Sequence, residues 1–330
     1  MKTNLSRRPV LSALLDRAAL GFVDIGGRGA GFKNLFMLAP YAHYFVCEPE
    51  SAEASRLREI LPTEGRWRAV TVFGDAIASR RGEAALYITR RPGMSSLLQC
   101  DPEVTAPFFN LDRYDVERVE TVSTIPLDEA AERHGFTDAC FVKLDTQGTE
   151  LDIMRSGDRL VSGPALGVWV EANMRPFYKG QSLFADLDAH LRSRGFSLFM
   201  MNRTGLRRAG YRSDIYSKRV VTWAHCLYLR EPSTLLRRGD EAARRDLPRL
   251  LALALAFQYF DLTFEIIQAC ASVGVLPAQE QAELLHEMER LSQHITKRVL
   301  RDATNSAAAL DMKESLLAAS FRDKSGPEGA

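Results

Sequence analysis

The segment GFVDIGGRGAG, residues 21–31, limits this chain's fold more than any other stretch. An apolar, strand-like run ends in Asp24 and passes into Gly26, Gly27, Gly29 and Gly31. A strand that feeds a glycine-rich turn lets bare backbone come close to a nucleotide-like ligand. The dinucleotide fingerprint G-x-G-x-x-G fails in every frame, because Arg28, Phe32 or Asn34 stands where a glycine is required. The phosphate-loop frame from Gly26 fails too, since Phe32 precedes Lys33 where Lys should follow Gly31. A carboxylate at the strand tip would repel a pyrophosphate and favour a cationic ligand. A glycine turn without any ligand is the alternative.

Short buried-type strands alternate with helices as far as about residue 230. The strands are expected at residues 22–25, 44–47, 69–73, 139–144, 166–170, 196–201 and 220–229. Residues 83–89 and 118–124 alternate apolar and polar positions as hairpin strands do, and a loop-rich stretch, 90–114, lies between them. Helices are expected from Phe32 towards Leu38, over 51–61 with Ser51 as N-cap, over 128–134, from Glu150, and over 183–194, where Gly195 stops the last. This pattern predicts an α/β, Rossmann-like, mostly parallel sheet with its last strand antiparallel and helices on both faces. Ligands of such sheets bind beyond the carboxyl ends of the strands. Asp24, Glu48, Asp75, Asp145 and Glu171 all stand at such ends, too many for turn chemistry alone.

From Pro232 the strand patterns vanish and Leu, Ala, Glu, Arg and Gln take over. A boundary is therefore placed at 231/232. An all-α C-terminal extension follows, with helices over 237–256, 259–272, 278–301 and 306–321 and a disordered tail from about 322. Its apolar stripes suit core packing or a homodimer surface. The net charge of +1 supplies no global field for nucleic acid or membranes. Five scattered cysteines without a C-x-x-C pair point to a reducing, cytoplasmic setting. The longest apolar run, 250–257, is too short for a transmembrane segment.

Glu48 lies about twenty residues past the first glycine, where a second-strand acid meets a ribose diol. That feature fits NAD and S-adenosylmethionine equally. Asp75 stands where it can accept from an adenine amino group, or cap a turn. Asp24 separates the two ligands, because S-adenosylmethionine carries a positive amino group and a sulfonium.

The order FVDIGG, FVCEPE, GDAI and VKLDTQGTE resembles the Rossmann-like S-adenosylmethionine-dependent methyltransferases. More narrowly, Cys47-Glu48-Pro49, Gly93-Met94-Ser95-Ser96-Leu97, Ile125-Pro126-Leu127-Asp128-Glu129 leading into VKLDTQGTELDIMRSG, and Tyr178-Lys179-Gly180-Gln181 resemble the FkbM-type family. The resemblance covers about residues 20 to 205. In that family the first loop reads closer to D-x-G-A-N-x-G. Here Gly27 and Arg28 replace the small residue and the amide, and Ala30 stands at the last glycine.

The resemblance implies O-methylation of a hydroxyl on a carbohydrate or natural product, with S-adenosylmethionine as cofactor. The expected cofactor residues are Asp24, Gly26, Gly27, Gly29, Glu48, Asp75 and Ala76. Asp145 and Glu171 are the expected catalytic carboxylates, because a hydroxyl needs a proton acceptor. Ser95, Ser96, Asn173, Tyr178 and Gln181 are the expected acceptor contacts. No metal is expected, since the spacing demands none, although Asp145, Glu171 and Asn173 offer oxygen ligands. His43, His134 and His225 are further bases to consider; His225 lies within a strand, as core or sheet-surface histidines do. The basic and aromatic run 207–216 suits either an anionic or glycosyl substrate or a solvated crossover. The competing readings are a binding protein that keeps this fold without catalysis, an N- or carboxyl-methyltransferase, and a nicotinamide-dependent oxidoreductase, which Asp24 and the failed fingerprint disfavour.

Overall fold

Continuous apolar runs become strands covered on both faces, and this places β1 in mid-sheet. The strands are β1 (Leu20–Ile25), β2 (Ala42–Cys47), β3 (Ala69–Phe73), β4 (Ala76–Ile77), β5 (Gly82–Thr89), β6 (Val116–Ile125), β7 (Phe141–Leu144), β8 (Gly167–Asn173), β9 (Phe196–Leu206) and β10 (Val220–Arg230). They belong to a computed structural model that describes residues 5–29, 31–108, 112–212, 214 and 216–303. Seven strands form one sheet in the order β3-β2-β1-β7-β8-β10-β9, and β4-β6-β5 form a second. In the large sheet every pairing is parallel except those of β10, which runs antiparallel to β8 and β9. The chain works outward from β1 to β3 and returns beside β1 as β7. Loops leaving β1 and β7 therefore diverge and open a crevice at their carboxyl ends.

The helices are α1 (Pro9–Arg17), α2 (Ser51–Thr63), α3 (Pro102–Thr105), α4 (Leu127–His134), α5 (Glu150–Ser156), α6 (Asp158–Ser162), α7 (Phe184–Ser193), α8 (Pro232–Leu236), α9 (Asp240–Ala256), α10 (Phe260–Ser272) and α11 (Ala278–Ala303). On one face of the sheet, Leu151, Ile153 and Leu187 of α5 and α7 pack on Val23, Val142 and Val170. On the other, Leu247, Leu250 and Leu253 of α9 join Phe22, Phe141, Trp169 and Leu227 in a single apolar cluster. Thus α9, from the C-terminal extension, lies in the core of the sheet it follows. Its Arg249 donates Nε to the Ala18 carbonyl at 2.8 Å and Nη2 to Asp138 at 2.5 Å, tying it to the chain just before β1 and β7. Among the described residues, no helix is long and apolar enough to cross a membrane.

Two local expectations are corrected. Residues 32–38 do not open a helix; 3-10 turns at Lys33–Leu35 and Ala39–Tyr41 take their place. The Phe32 amide donates to the Tyr44 hydroxyl, its ring packs on Phe141 and Trp169, and Pro40 follows, so tertiary contacts and a helix breaker override the local pattern. Ser51 is the first helical residue of α2 and not its cap; Glu50, in extended conformation, holds that position without a capping hydrogen bond. α1, β4, α3, α6 and α8 are further elements beyond those expected from the sequence. The expected helix over 306–321 and the tail from 322 lie outside the described residues.

Candidate active site

The first glycine turn is built by chain approach. Gly26 has φ +75°, and a Cβ there would lie 2.1 Å from the Asp145 carbonyl oxygen. A Cβ on Gly27 would meet the Val46 side chain at 2.3 Å. Both amides donate to the Cys47 carbonyl at 3.1 Å, which locks the turn onto the end of β2. Gly29 donates to Glu53 in the first turn of α2 at 3.1 Å. Ala30 lies outside the described residues.

Beneath this turn the Asp24 carboxylate is buried. It accepts from Lys143 Nζ at 2.7 Å and from the Tyr44 hydroxyl, and Lys143 also donates to the Gly26 carbonyl at 3.0 Å. The charge that the sequence reading aimed at a cationic ligand thus meets an internal lysine. Lys143 stands in a strand of otherwise apolar residues, and alternation places it on the same face as Asp24 of neighbouring β1.

A cavity of about 220 Å³ opens over these strand ends. Of the expected residues, Gly26, Glu48, Ala76, Ser95, Ser96 and Asp145 line it, together with Arg28, Lys143 and Gln147. Ile77, Leu86 and Leu97 supply an apolar wall. Burial pushes the Glu48 carboxyl up to about 7, against a smaller opposing pull from Arg28. Arg28 pairs with Glu50, which also takes Arg118 from β6 at 2.5 Å, so the glycine turn and the hairpin are tied together at the cavity. Asp75 is not in the lining; its carboxylate lies 3.2 Å from Arg133 and 3.0 Å from His134 Nε2.

Behind the cavity the DTQGT loop that follows β7 is held by its own side chains. Glu150 accepts from the Thr146 and Gly148 amides at 2.8 and 2.9 Å. Gln147 is left-handed at φ +59°, a conformation costly for a residue with a side chain, and it is 5% exposed. Its Nε2 donates to Asp145 at 2.8 Å and to Glu171 at 2.9 Å, joining the two expected catalytic carboxylates. The Tyr178 hydroxyl lies 3.1 Å from Gln147 Oε1, and Ser96 donates to the Gln147 carbonyl at 2.8 Å. Gln181 accepts from the Tyr178 amide at 3.1 Å. Burial first, then Asp145 and Glu150, raises the Glu171 carboxyl far above the carboxylate range. Glu171, Tyr178 and Gln181 therefore form a buried layer behind Asp145, and Asn173, also buried, lies with them outside the cavity lining. His225 Nε2 sits 3.5 Å from Glu171 Oε2, and burial lowers its affinity for a proton. Its position follows from the β8/β10 register, in which it stands opposite Glu171.

A family model described as the methyltransferase FkbM domain matches residues 28–198. No curated protein sequence matches the chain. Among solved structures the chain is similar to the methyltransferase FkbM from Methylobacillus flagellatus KT, with 15% identity and a TM-score of 0.37, over 64% of this chain and 44% of that one. The chain thus spans less than half the length of that structure. It is also similar to M. capricolum TrmK in complex with S-adenosyl-homocysteine, with 10% identity and a TM-score of 0.31, over 81% of this chain and 97% of that one. The precorrin-6y C5,15-methyltransferase from Geobacter metallireducens GS-15 matches at 13% identity and a TM-score of 0.30, over 70% of this chain and 91% of that one. The segment matched by the family covers just over half of the 330 residues and takes in β2 to β8 with Glu48, Asp145 and Glu171, and on that match the chain belongs to the FkbM methyltransferase family.

Proposed function

We propose that this protein is an S-adenosylmethionine-dependent O-methyltransferase acting on a hydroxyl of a carbohydrate or carbohydrate-like natural product. The observation that carries the reading is the cavity at the diverging ends of β1, β2 and β7, with Glu48 at its β2 side and Asp145 at its β7 side. The donor set fits the cofactor. Glu48 would accept the ribose hydroxyls, Ile77, Leu86 and Leu97 would take an adenine face, and the bare Gly26 backbone would border the remainder. S-adenosylmethionine supplies the methyl group as a sulfonium electrophile. The protein orients the acceptor and excludes water, since transfer dissipates charge and positioning does much of the work. Asp145, held in place by Gln147, is the carboxylate that meets an acceptor hydroxyl entering from the cavity.

An open groove of about 750 Å³ supports a polyhydroxylated acceptor. Tyr87, Tyr114, Gln99, Asp112, Asp115 and Lys179 line it, so aromatic faces stand beside hydrogen-bonding groups. Its Tyr87 pairs with Ser96, a residue of the cavity wall. All five cysteines are free thiols, in keeping with a reducing, cytoplasmic setting.

Calorimetry with S-adenosylmethionine, S-adenosylhomocysteine and NAD tests the reading. Binding of both sulfur ligands without NAD is the expected result, followed by radiolabelled methyl transfer to members of a glycan and polyol library. No binding of either sulfur ligand at millimolar concentration would sink it.

A further inference from the structure

Three strands bring Asp145, Glu171 and His225 together, with one potential ligand atom of each lying within 4.8 Å of the others. Register sets this meeting. His225 stands opposite Glu171 in the antiparallel ladder, and Asp145 follows Leu144, the partner of Val170. The His225 ring stacks on Trp169 at 5.8 Å, which fixes its plane. Gln147 Nε2 now reaches both carboxylates. A half-turn of that amide would present Oε1 to the same position and Nε2 to the Tyr178 hydroxyl, which accepts as readily as it donates. A neighbouring buried amide lacks a partner. Asn173 is 4% exposed, yet its Nδ2 has no hydrogen-bond partner. It lies two residues beyond Glu171 on β8, so both project from one face, and Asn173 is nearer the carboxyl end. Buried amides are normally satisfied, so this N–H donor calls for an acceptor oxygen in the space beyond Glu171; it is not itself a ligand for a cation.

We propose that Asp145, Glu171 and His225 bind one divalent first-row transition metal ion, with Gln147 Oε1 as a fourth ligand. Two carboxylates with an imidazole suit Mn²⁺ or Zn²⁺ better than Mg²⁺ or Ca²⁺, which favour all-oxygen sets. Because Asp145 also lines the cavity, the ion borders the space assigned to the acceptor and offers an open position to its oxygen. That use rests on the methyl-transfer reading; metal binding itself does not.

The test is a titration of chelator-stripped, full-length protein with MnCl₂ alone, followed by electron paramagnetic resonance. One Mn²⁺ per chain, with pulsed-resonance coupling to one imidazole nitrogen, is the expected outcome. His225→Ala should abolish the coupling and weaken binding more than ~10-fold, the least expected when even an outer-shell partner is lost. Asp145→Asn should weaken it similarly, with circular dichroism confirming that each variant folds. Absence of binding at millimolar Mn²⁺, or bound Mn²⁺ without nitrogen coupling in the unmodified protein, overturns the proposal. Calorimetry with S-adenosylmethionine on the same preparation separates the outcomes: cofactor binding without Mn²⁺ binding removes the metal site alone.

Discussion

Glu48 is a buried carboxylate whose burial is opposed only in part by Arg28, and its carboxyl is pushed up to about 7. Folding therefore tightens its hold on a proton relative to the unfolded chain. The stability this contributes is fully present below about pH 4.5, falls as the unfolded chain ionises, and is gone once pH passes 7. The shift corresponds to ~3 kcal/mol. Glu48→Gln removes the charge but keeps the shape, so its stability relative to the unmodified chain should rise by ~3 kcal/mol between pH 4.5 and 8. Urea unfolding of the ligand-free protein at the two pH values measures this; parallel curves for both proteins would refute the burial argument. The same variant should bind S-adenosylmethionine more weakly at pH 8, because a neutral amide accepts ribose hydroxyls poorly. At residue scale the sequence located Glu48 from its strand-end position and its distance from the glycines. It did not reveal Lys143 as the partner of Asp24 or His225 as the neighbour of Glu171. Those meetings depend on which strands become adjacent, and the order β1-β7-β8-β10 is set by the whole sheet.

At the scale of elements, the loop after β1 carries the sharpest geometric demand. Gly26 combines φ +75° with an approach that leaves no room for a Cβ beside the Asp145 carbonyl. Gly29 has φ +104°, and a Cβ added there would meet nothing within 4 Å. Gly26→Ala should therefore cost about 3 kcal/mol or more, because strain and a backbone clash add. Gly29→Ala should cost only ~1–2 kcal/mol, from the left-handed backbone alone. Denaturant midpoints of the two variants check the order, and equal losses would show that the turn is not clamped against β7. The glycine register, which departs from the family pattern at Arg28 and Ala30, is thus explained at Gly26 and Gly27 by close approach. Elements with strong periodicity, such as β1, β2, β7 and α7, were legible from apolar spacing and stop signals. Residues 32–38 were not, because the apolar spacing that suggested a helix serves long-range packing of Phe32 against Phe141 and Trp169. The two-residue β4 is also too short to leave a pattern.

For the whole molecule, the composition shift at Pro232 was legible, but its meaning depends on packing. Leu247, Leu250, Leu251, Leu253 and Leu255 of α9 are fully buried, and they share one apolar cluster with Phe22, Phe141 and Trp169 of the sheet. The N-terminal helix joins the same assembly, since Arg8 and the Leu11 amide both bond to Glu287 of α11. A helix that supplies one face of the core should unfold with the sheet and not as a separate unit. All three tryptophans, Trp67, Trp169 and Trp223, precede residue 232, so their fluorescence reports the sheet, whereas far-ultraviolet circular dichroism also weighs α9 to α11. Leu250→Ala opens a cavity in α9 and should cost ~2–5 kcal/mol. If the two parts are one cooperative unit, fluorescence and circular dichroism midpoints fall together in this variant. A fluorescence midpoint that stays put while the helical signal melts early would make the extension an independent module, and α9 would then be a cover for the sheet without being part of its folding unit.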